Sequence, residues 1–130
     1  MRAGPRTAFL RTPHGSLLHC VLAETPEQRA VGLSRAHEVP LHGMLFDFGE
    51  PEIVSMTMAE TTIPLAMLFI DESGRVRHVV PHARPHDPAP YDCPSHVRWV
   101  LETKPEYVER LGGLIGKSVV VFLPHGRAAA

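Results

Sequence analysis

The chain has 130 residues, and its 13 lysines and arginines nearly balance 14 aspartates and glutamates, which leaves a formal charge of −1. This length suits a single domain spanning 1–130 with one core at about 7–123, and the near-neutral charge argues against a nucleic-acid partner. Its two cysteines, Cys20 and Cys93, are too few for a disulfide scaffold or a zinc knuckle and fit a reducing compartment.

Neither a targeting segment nor a membrane span is predicted. The apolar run at 17–23 near the amino end is short and contains His19, unlike a signal peptide. The longest apolar run, 63–70, contains Pro64 and is far shorter than the roughly 20 residues of a transmembrane helix. We therefore predict a cytoplasmic protein that does not contact a membrane, with a disordered tail at about 126–130.

The first elements are predicted to be a hairpin and a helix. Two apolar segments, 7–12 and 17–23, flank the turn formers at 13–16. Thr25 and Gln28 then form a capping-box pattern, with Pro26 at the first helical position. This pattern predicts a helix over about 26–36.

The middle of the chain reads as strands. Segments 43–48 and 53–58 are separated by a Gly- and Pro-containing turn, and 65–70 is apolar on both faces, as in a fully buried strand. Asp71 to Gly74 predict a tight turn into a strand at 76–80.

The last third begins with five prolines in the fourteen residues from Pro81 to Pro94, which predict a surface loop. A strand follows at 96–102. Thr103 and Glu106 suggest a second capping box, opening a helix that ends near Leu111, and 119–123 is the final strand. These elements predict an α+β fold, a small antiparallel or mixed β-barrel-like sheet with two short helices.

Several segments carry a family resemblance over about residues 17–123. They are Ala23 to Thr25, Gly32-Leu33, Gly43 to Phe46, Met58 with Thr61, Ile63 to Leu65, Leu68 to Asp71 with Gly74, Val100 to Glu102, and Gly116. In order and spacing they resemble the family called domain of unknown function 192. The resemblance implies a compact, Saro-like β-barrel fold with no assigned activity.

The chain also departs from that family pattern. Where the family usually has an aromatic pair and then Met-Lys-Asn-Thr, this chain reads Met56 to Thr61 without the tryptophan, the lysine or the asparagine. Ala66 replaces an aspartate, and Arg35 matches the family arginine only loosely. A shared site built from those groups would be altered here.

The strongest metal-like pattern is a histidine series. Neutral imidazoles with a carboxylate suit zinc or a similar ion, and the candidates are His78, His82, His86, Asp87 and His96. Two prolines make a helical arrangement improbable, and residues four apart on a strand lie roughly 13 Å apart. Solvated loop histidines are the favoured alternative, and no cofactor is predicted.

Polar positions at the strand ends form a second candidate site. They are Glu24, Arg35, Glu60, Thr61 and Glu102, with Met58 beside them. Two carboxylates held together would raise one pKa and permit acid–base chemistry. The alternative is structural, because Glu24 and Glu102 precede predicted helices and negative charge there complements a helix dipole. Methionines 44, 56, 58 and 67 suggest core packing or an adaptable pocket.

Cys93 gives one further candidate. With His86 or His96 as base it could supply a thiolate nucleophile, although no helix amino terminus is predicted nearby to lower its pKa.

Three functional hypotheses follow. The first is a non-enzymatic binding or accessory module that holds a small molecule or a protein partner at the barrel mouth or the Pro81–Pro94 loop. The second is a small, metal-dependent hydrolase using the His78–His96 region. The third is a structural homodimer, whose sign would be an uncovered edge strand or an exposed apolar patch. Monomer and homodimer both stay open.

Overall fold

The computed structural model describes residues 4–125, and the predicted disordered tail at 126–130 lies outside them. Nine strands and two helices occur within the described residues. In chain order they are β1 (Thr7–Arg11), β2 (Leu17–Ala23), α1 (Pro26–Val31), β3 (Met44–Glu52), β4 (Ser55–Met56), β5 (Leu65–Ile70), β6 (Val76–Ala83), β7 (Tyr91–Asp92), β8 (Val97–Thr103), α2 (Pro105–Leu111) and β9 (Val120–Phe122).

Seven strands form one curled, mixed sheet in the order β6-β5-β8-β3-β2-β1-β9, while β4 and β7 form a small separate ribbon. β2 and β3 pair in parallel, and the other neighbours in the large sheet are antiparallel. The segment before β9 runs beside the start of β6, where the Val119 N–H donates to the Gly74 carbonyl at 2.8 Å. This half-barrel with two short helices confirms the predicted α+β class.

The sheet carries a core on each face. The first core includes Leu10, Leu22 and Leu101 and is covered by Val108 of α2. The second core, formed by other buried residues of the same strands and the loops over them, includes Phe46, Met58, Met67, Phe69 and Val100. β5 contributes to both cores and is buried at every position, which confirms the two-faced burial predicted from its composition.

Several local predictions are confirmed. The opening hairpin pairs β1 with β2, and β5 pairs with β6 across the turn at 71–75. The capping box is present at α1, since the Gln28 N–H donates to Thr25 Oγ1 at 3.1 Å and Gln28 Oε1 accepts from the Thr25 N–H. These elements were predictable because side chains close together in the chain determine their local structure.

Other boundaries were wrong. α1 ends at Val31 rather than near 36, because Gly32 adopts φ 51° and stops the helix. The predicted strand at 53–58 is reduced to Ser55–Met56, since β3 continues through its Gly- and Pro-containing segment to Glu52. Pairing with β8, through a register shift, carries β3 past the expected turn.

Two predictions after Pro81 were also wrong. The segment 81–94 is not loop throughout, because β6 extends to Ala83 and Tyr91–Asp92 form β7. The second capping box does not form: Lys104 is the N-cap of α2 without a side-chain cap, and Thr103 Oγ1 donates to the His42 carbonyl at 2.6 Å.

Within residues 4–125, neither short helix could cross a membrane.

Candidate functional site

Three loops meet where several predicted site residues lie, and we call this place the three-loop junction (33–36, 58–62 and 84–87). The Arg35 N–H donates to the Glu60 carbonyl at 2.9 Å, and the His86 N–H donates to the Thr61 carbonyl at 3.0 Å. Arg35 and His86 both have positive φ, 62° and 58°, a conformation that costs a non-glycine residue free energy. Two left-handed residues thus hold the 60–61 segment from opposite loops.

The three-loop junction is built from backbone hydrogen bonds rather than from converging functional groups. The residues Arg35, Glu60 and His86 are exposed, whereas Thr61 is buried. His86 Nδ1 lies 3.3 Å from the Ala59 carbonyl. Four predicted site residues are therefore brought together, but their arrangement fixes loops over the second core, where Met58 is completely buried.

Glu102 occupies a separate and unusual position within β8. It pairs with Met44 of β3 on one side and Met67 of β5 on the other, so two thioether side chains flank its carboxyl on the same face of the sheet. Its exposed fraction is 3 %. Burial raises the pKa of the Glu102 carboxyl to about 8 because removal from water penalises the charged form.

The helix-dipole role suggested for Glu102 was wrong. Glu102 is a strand residue, and Thr103 and Lys104 separate it from the start of α2. Within residues 4–125, no hydrogen bond or ion pair joins its carboxyl to another side chain. With a raised pKa, this carboxyl is protonated and neutral near pH 7.

Glu24 is held elsewhere, at the start of α1. Its two carboxylate oxygens accept from Arg6 Nε and Nη2 at 2.9 and 2.8 Å, a bidentate ion pair. Asp47 is engaged in a similar way by Arg98, with Nε 3.2 Å from Oδ1. Glu24, Glu60 and Glu102 therefore belong to three different environments and do not converge.

The histidine series is dispersed along β6 and the loops that follow. His78 packs its ring against Phe69 with centroids 5.5 Å apart, and His82 Nε2 lies 2.8 Å from Glu109 Oε1 of α2. His96 is exposed just before β8. Among residues 4–125, no three histidine, cysteine, aspartate or glutamate side chains are grouped to hold a metal ion.

Asp87 and Cys93 take local structural roles in this region. Asp87 Oδ2 accepts from the Tyr91 hydroxyl at 2.7 Å, and that bond together with the Ala89 N–H lowers the pKa of the Asp87 carboxyl. Cys93 is buried, and its N–H donates to the Val54 carbonyl. Cys20 is also buried, which raises the pKa of its thiol to about 12.

A cavity lies in the first core, between the sheet and α2. Its walls include Leu10, Leu68, Leu101 and Val108, and its volume open to the centre of a water molecule is about 10 Å³. That volume accommodates a single water. An organic ligand would not fit there.

An exposed apolar face on β2, β1 and β9 was missed in the sequence. Strand register places Phe122, Phe9 and His19 in one row and Val120, Arg11 and Leu17 in the next. Phe9, Leu17, Val120 and Phe122 are 39, 52, 46 and 40 % exposed. We call these six residues the apolar face.

Ring stacking orders the side chains of the apolar face. Phe9 and His19 lie parallel, with centroids 4.4 Å apart, and the Arg11 guanidinium lies 5.0 Å above the Phe122 ring. The sequence signal for this face is the alternation of side chains along 7–11. Thr7, Phe9 and Arg11 lie on one side of β1, and the core residues Ala8 and Leu10 lie on the other.

Comparison with known proteins gives the family. The profile of domain of unknown function 192, described as "Uncharacterized ACR", matches residues 10–121. The chain belongs to this family. No curated protein matches the chain.

Two solved structures are similar to the chain. One is a protein from Sinorhizobium meliloti 1021 described as a "putative transcription regulator"; it is 39 % identical, with 93 % of this chain and 96 % of that chain covered and a TM-score of 0.78. The other is a protein of unknown function from Novosphingobium aromaticivorans DSM 12444, 26 % identical, with coverages of 91 % and 93 % and a TM-score of 0.78. Both support the fold, and the family has no assigned activity.

Proposed function

We propose that this domain is a non-enzymatic binding module whose partner is another polypeptide, held at the apolar face. The observation that carries the proposal is the contiguity of Phe9, Leu17, Val120 and Phe122 on neighbouring strands. Exposed apolar residues scattered singly need no explanation, but a contiguous patch marks an interaction surface. The face also borders β9, the last strand of the sheet.

The shape of this surface favours a polypeptide over a small molecule. Small ligands are usually enclosed in cavities of about 300–1,000 Å³, whereas the apolar face is one side of a three-stranded stretch of sheet. The cavity beneath α2 is too small for such a ligand. A partner that presents an extended apolar strand matches both the exposed side chains and the neighbouring sheet edge.

The positions of the titratable residues support a non-enzymatic role. Glu24 and Asp47 are neutralised by arginines, and Glu102 is enclosed between methionines. The description of the Sinorhizobium meliloti protein as a "putative transcription regulator" is compatible with a protein-binding role. The near-neutral charge of this chain favours a protein over DNA as the direct partner.

Site-specific photo-cross-linking in the native host tests this proposal. A photoreactive phenylalanine analogue replaces Phe9 in one variant and the exposed Ile53, which lies between β3 and β4, in a matched control. We expect a discrete polypeptide adduct from position 9 that disappears when Val120→Lys is added. No adduct from position 9, or the same adduct from position 53, would overturn the proposal.

A further inference from the structure

β9 presents an open edge next to the apolar face. Its residues Val120 and Phe122 are in register with Arg11 and Phe9 of β1 on the inner side. On the outer side, the Val119 N–H donates to the Gly74 carbonyl at 2.8 Å. Because backbone groups two residues apart on a strand share one edge, the N–H and C=O of Val121 lie on that outer side.

This edge ends the sheet at β9. In the described part of the chain, no strand pairs with the outer side of Val120–Phe122. Natural sheets usually cover or charge such an edge. Here the residues on either side of Val121 are a valine and a phenylalanine that are both exposed, so the edge can accept a further strand.

We infer that the strand which occupies this edge is β9 of a second copy of this chain, an inference that rests on the proposed function and names its partner. Antiparallel pairing about a two-fold axis at Val121 places Val121 opposite its own equivalent, and the two residues exchange N–H···O=C bonds. Val120 then lies opposite Phe122 of the partner subunit. By symmetry, Phe122 lies opposite the partner's Val120.

The pairing extends the apolar face across the two subunits. The row Leu17, Arg11, Val120 continues into the partner's Phe122, the partner's Phe9 and the partner's His19. Each exposed apolar residue at the edge thereby gains an apolar neighbour from the other copy. The surface is self-complementary, as a two-fold interface requires.

Charge opposes this association only weakly. Arg11 is the charged residue of the apolar face, and it stacks on Phe122 of its own subunit. The two Phe122 residues would be diagonal neighbours across the β9 pair, roughly 8 Å apart, which places the two guanidiniums about one screening length apart in physiological salt. A formal charge of −1 per subunit adds little long-range repulsion.

The position of Gly74 and the end of β9 limit the length of strand pairing at the interface. Gly74 occupies the outer side opposite Val119, and β9 ends at Phe122, two residues before Pro124. The shared edge is therefore three residues long, and most of the contact comes from side chains of the apolar face. We expect a reversible dimer of micromolar affinity rather than an obligate one.

Sedimentation equilibrium of the purified full chain tests the inference. At a concentration of about 100 µM we expect a mass of twice 14.3 kDa, falling toward the single mass on dilution. Val120→Lys alone and Phe122→Glu alone should each weaken the dimer at least about tenfold. Ile53→Lys and Ile115→Lys, at exposed apolar positions outside the face, should leave it unchanged.

The double variant Val120→Lys with Phe122→Glu tests the register itself. Antiparallel pairing about Val121 places each introduced lysine opposite an introduced glutamate of the partner, so dimerisation should recover by at least about fivefold relative to the weaker single variant. Recovery should decrease at high salt. A dimer whose affinity does not change with these substitutions, or a double variant that dimerises as weakly as the single variants, would overturn the inference.

The outcome also separates this inference from the proposed function. If the purified chain stays monomeric at every concentration while position 9 cross-links to a different polypeptide in the host, the second copy is the wrong partner and the binding module stands. A monomer that forms no cross-link at position 9 overturns both.

Discussion

Gly43 packs directly against the backbone carbonyl of Glu102. A Cβ at position 43 would approach that oxygen more closely than real Cβ atoms do, and Gly43 also has φ 144°, which side chains rarely adopt. The contact joins the loop before β3 to β8 at the residue where Met44 pairs with Glu102. Neither backbone can yield without breaking strand pairing, so glycine is required there.

Gly43→Ala should therefore destabilise the domain severely, by about 3 kcal/mol or more. Urea unfolding followed by the fluorescence of Trp99, the single tryptophan, would measure the free energy of unfolding. Gly113→Ala is the matched control, because nothing lies within 4 Å of a Cβ there. A loss below about 1 kcal/mol at position 43 would show that the two backbones separate easily.

Glu102 should make stability depend on pH. The folded pKa is raised to about 8 from an ordinary value of 4.5, so between these values the folded state holds a proton that the unfolded state has released. The stability contributed by this group is complete below about pH 4.5, falls by about 1.4 kcal/mol per pH unit as pH rises, and levels off above about pH 8.

Glu102→Gln should remove that dependence, because the amide does not titrate. The comparison is the free energy of unfolding of the wild type minus that of the variant, measured from pH 5 to pH 9, which cancels the contributions of other groups. We expect this difference to fall steadily up to about pH 8. A difference that stays constant with pH would mean that Glu102 is ionised in the fold.

The capping box of α1 should contribute measurably to stability. Thr25→Ala removes the acceptor of the Gln28 N–H and should cost about 1 kcal/mol, whereas Thr25→Ser retains the hydroxyl and should cost much less. Thermal unfolding of the three proteins would check this. Equal losses for alanine and serine would point to the methyl group of Thr25 rather than to the cap.

The histidine series permits a direct metal test. Because His78, His82 and His96 have separate surroundings, zinc should not raise the unfolding temperature of the purified protein. The control is His82→Ala, measured with and without zinc. A stabilisation by zinc that this substitution abolishes would revive the hypothesis of a metal-dependent enzyme.

Local chemistry made parts of the fold predictable from sequence. Thr25 and Gln28 are close in the chain and form their own hydrogen bonds, and the all-apolar β5 needed only composition to be recognised as a doubly buried strand. The predictions failed where contacts between residues distant in the chain override the local sequence signals. β3 passes through Pro51 because β8 lies beside it, and Thr103 bonds to the His42 carbonyl instead of capping α2.

The candidate sites were less predictable than the fold. Arg35 and Glu60 do meet, but through a backbone bond that neither side chain reveals. The burial of Glu102 depends on Met44 and Met67, which belong to two other strands. The apolar face likewise requires the register of three strands. The types of side chain identified the candidate site residues, but the topology and register of the sheet determine what surrounds each of them.

Hydrogen–deuterium exchange at the Val121 amide tests the central claim most directly. The N–H of Val121 lies on the outer edge of β9, where a partner strand would accept its hydrogen bond. At high protein concentration we expect slow exchange at Val121, at least about tenfold slower than in a dilute sample, while the Leu68 amide in the central β5 stays protected in both. Exchange at Val121 that is fast and independent of concentration would contradict pairing at this edge.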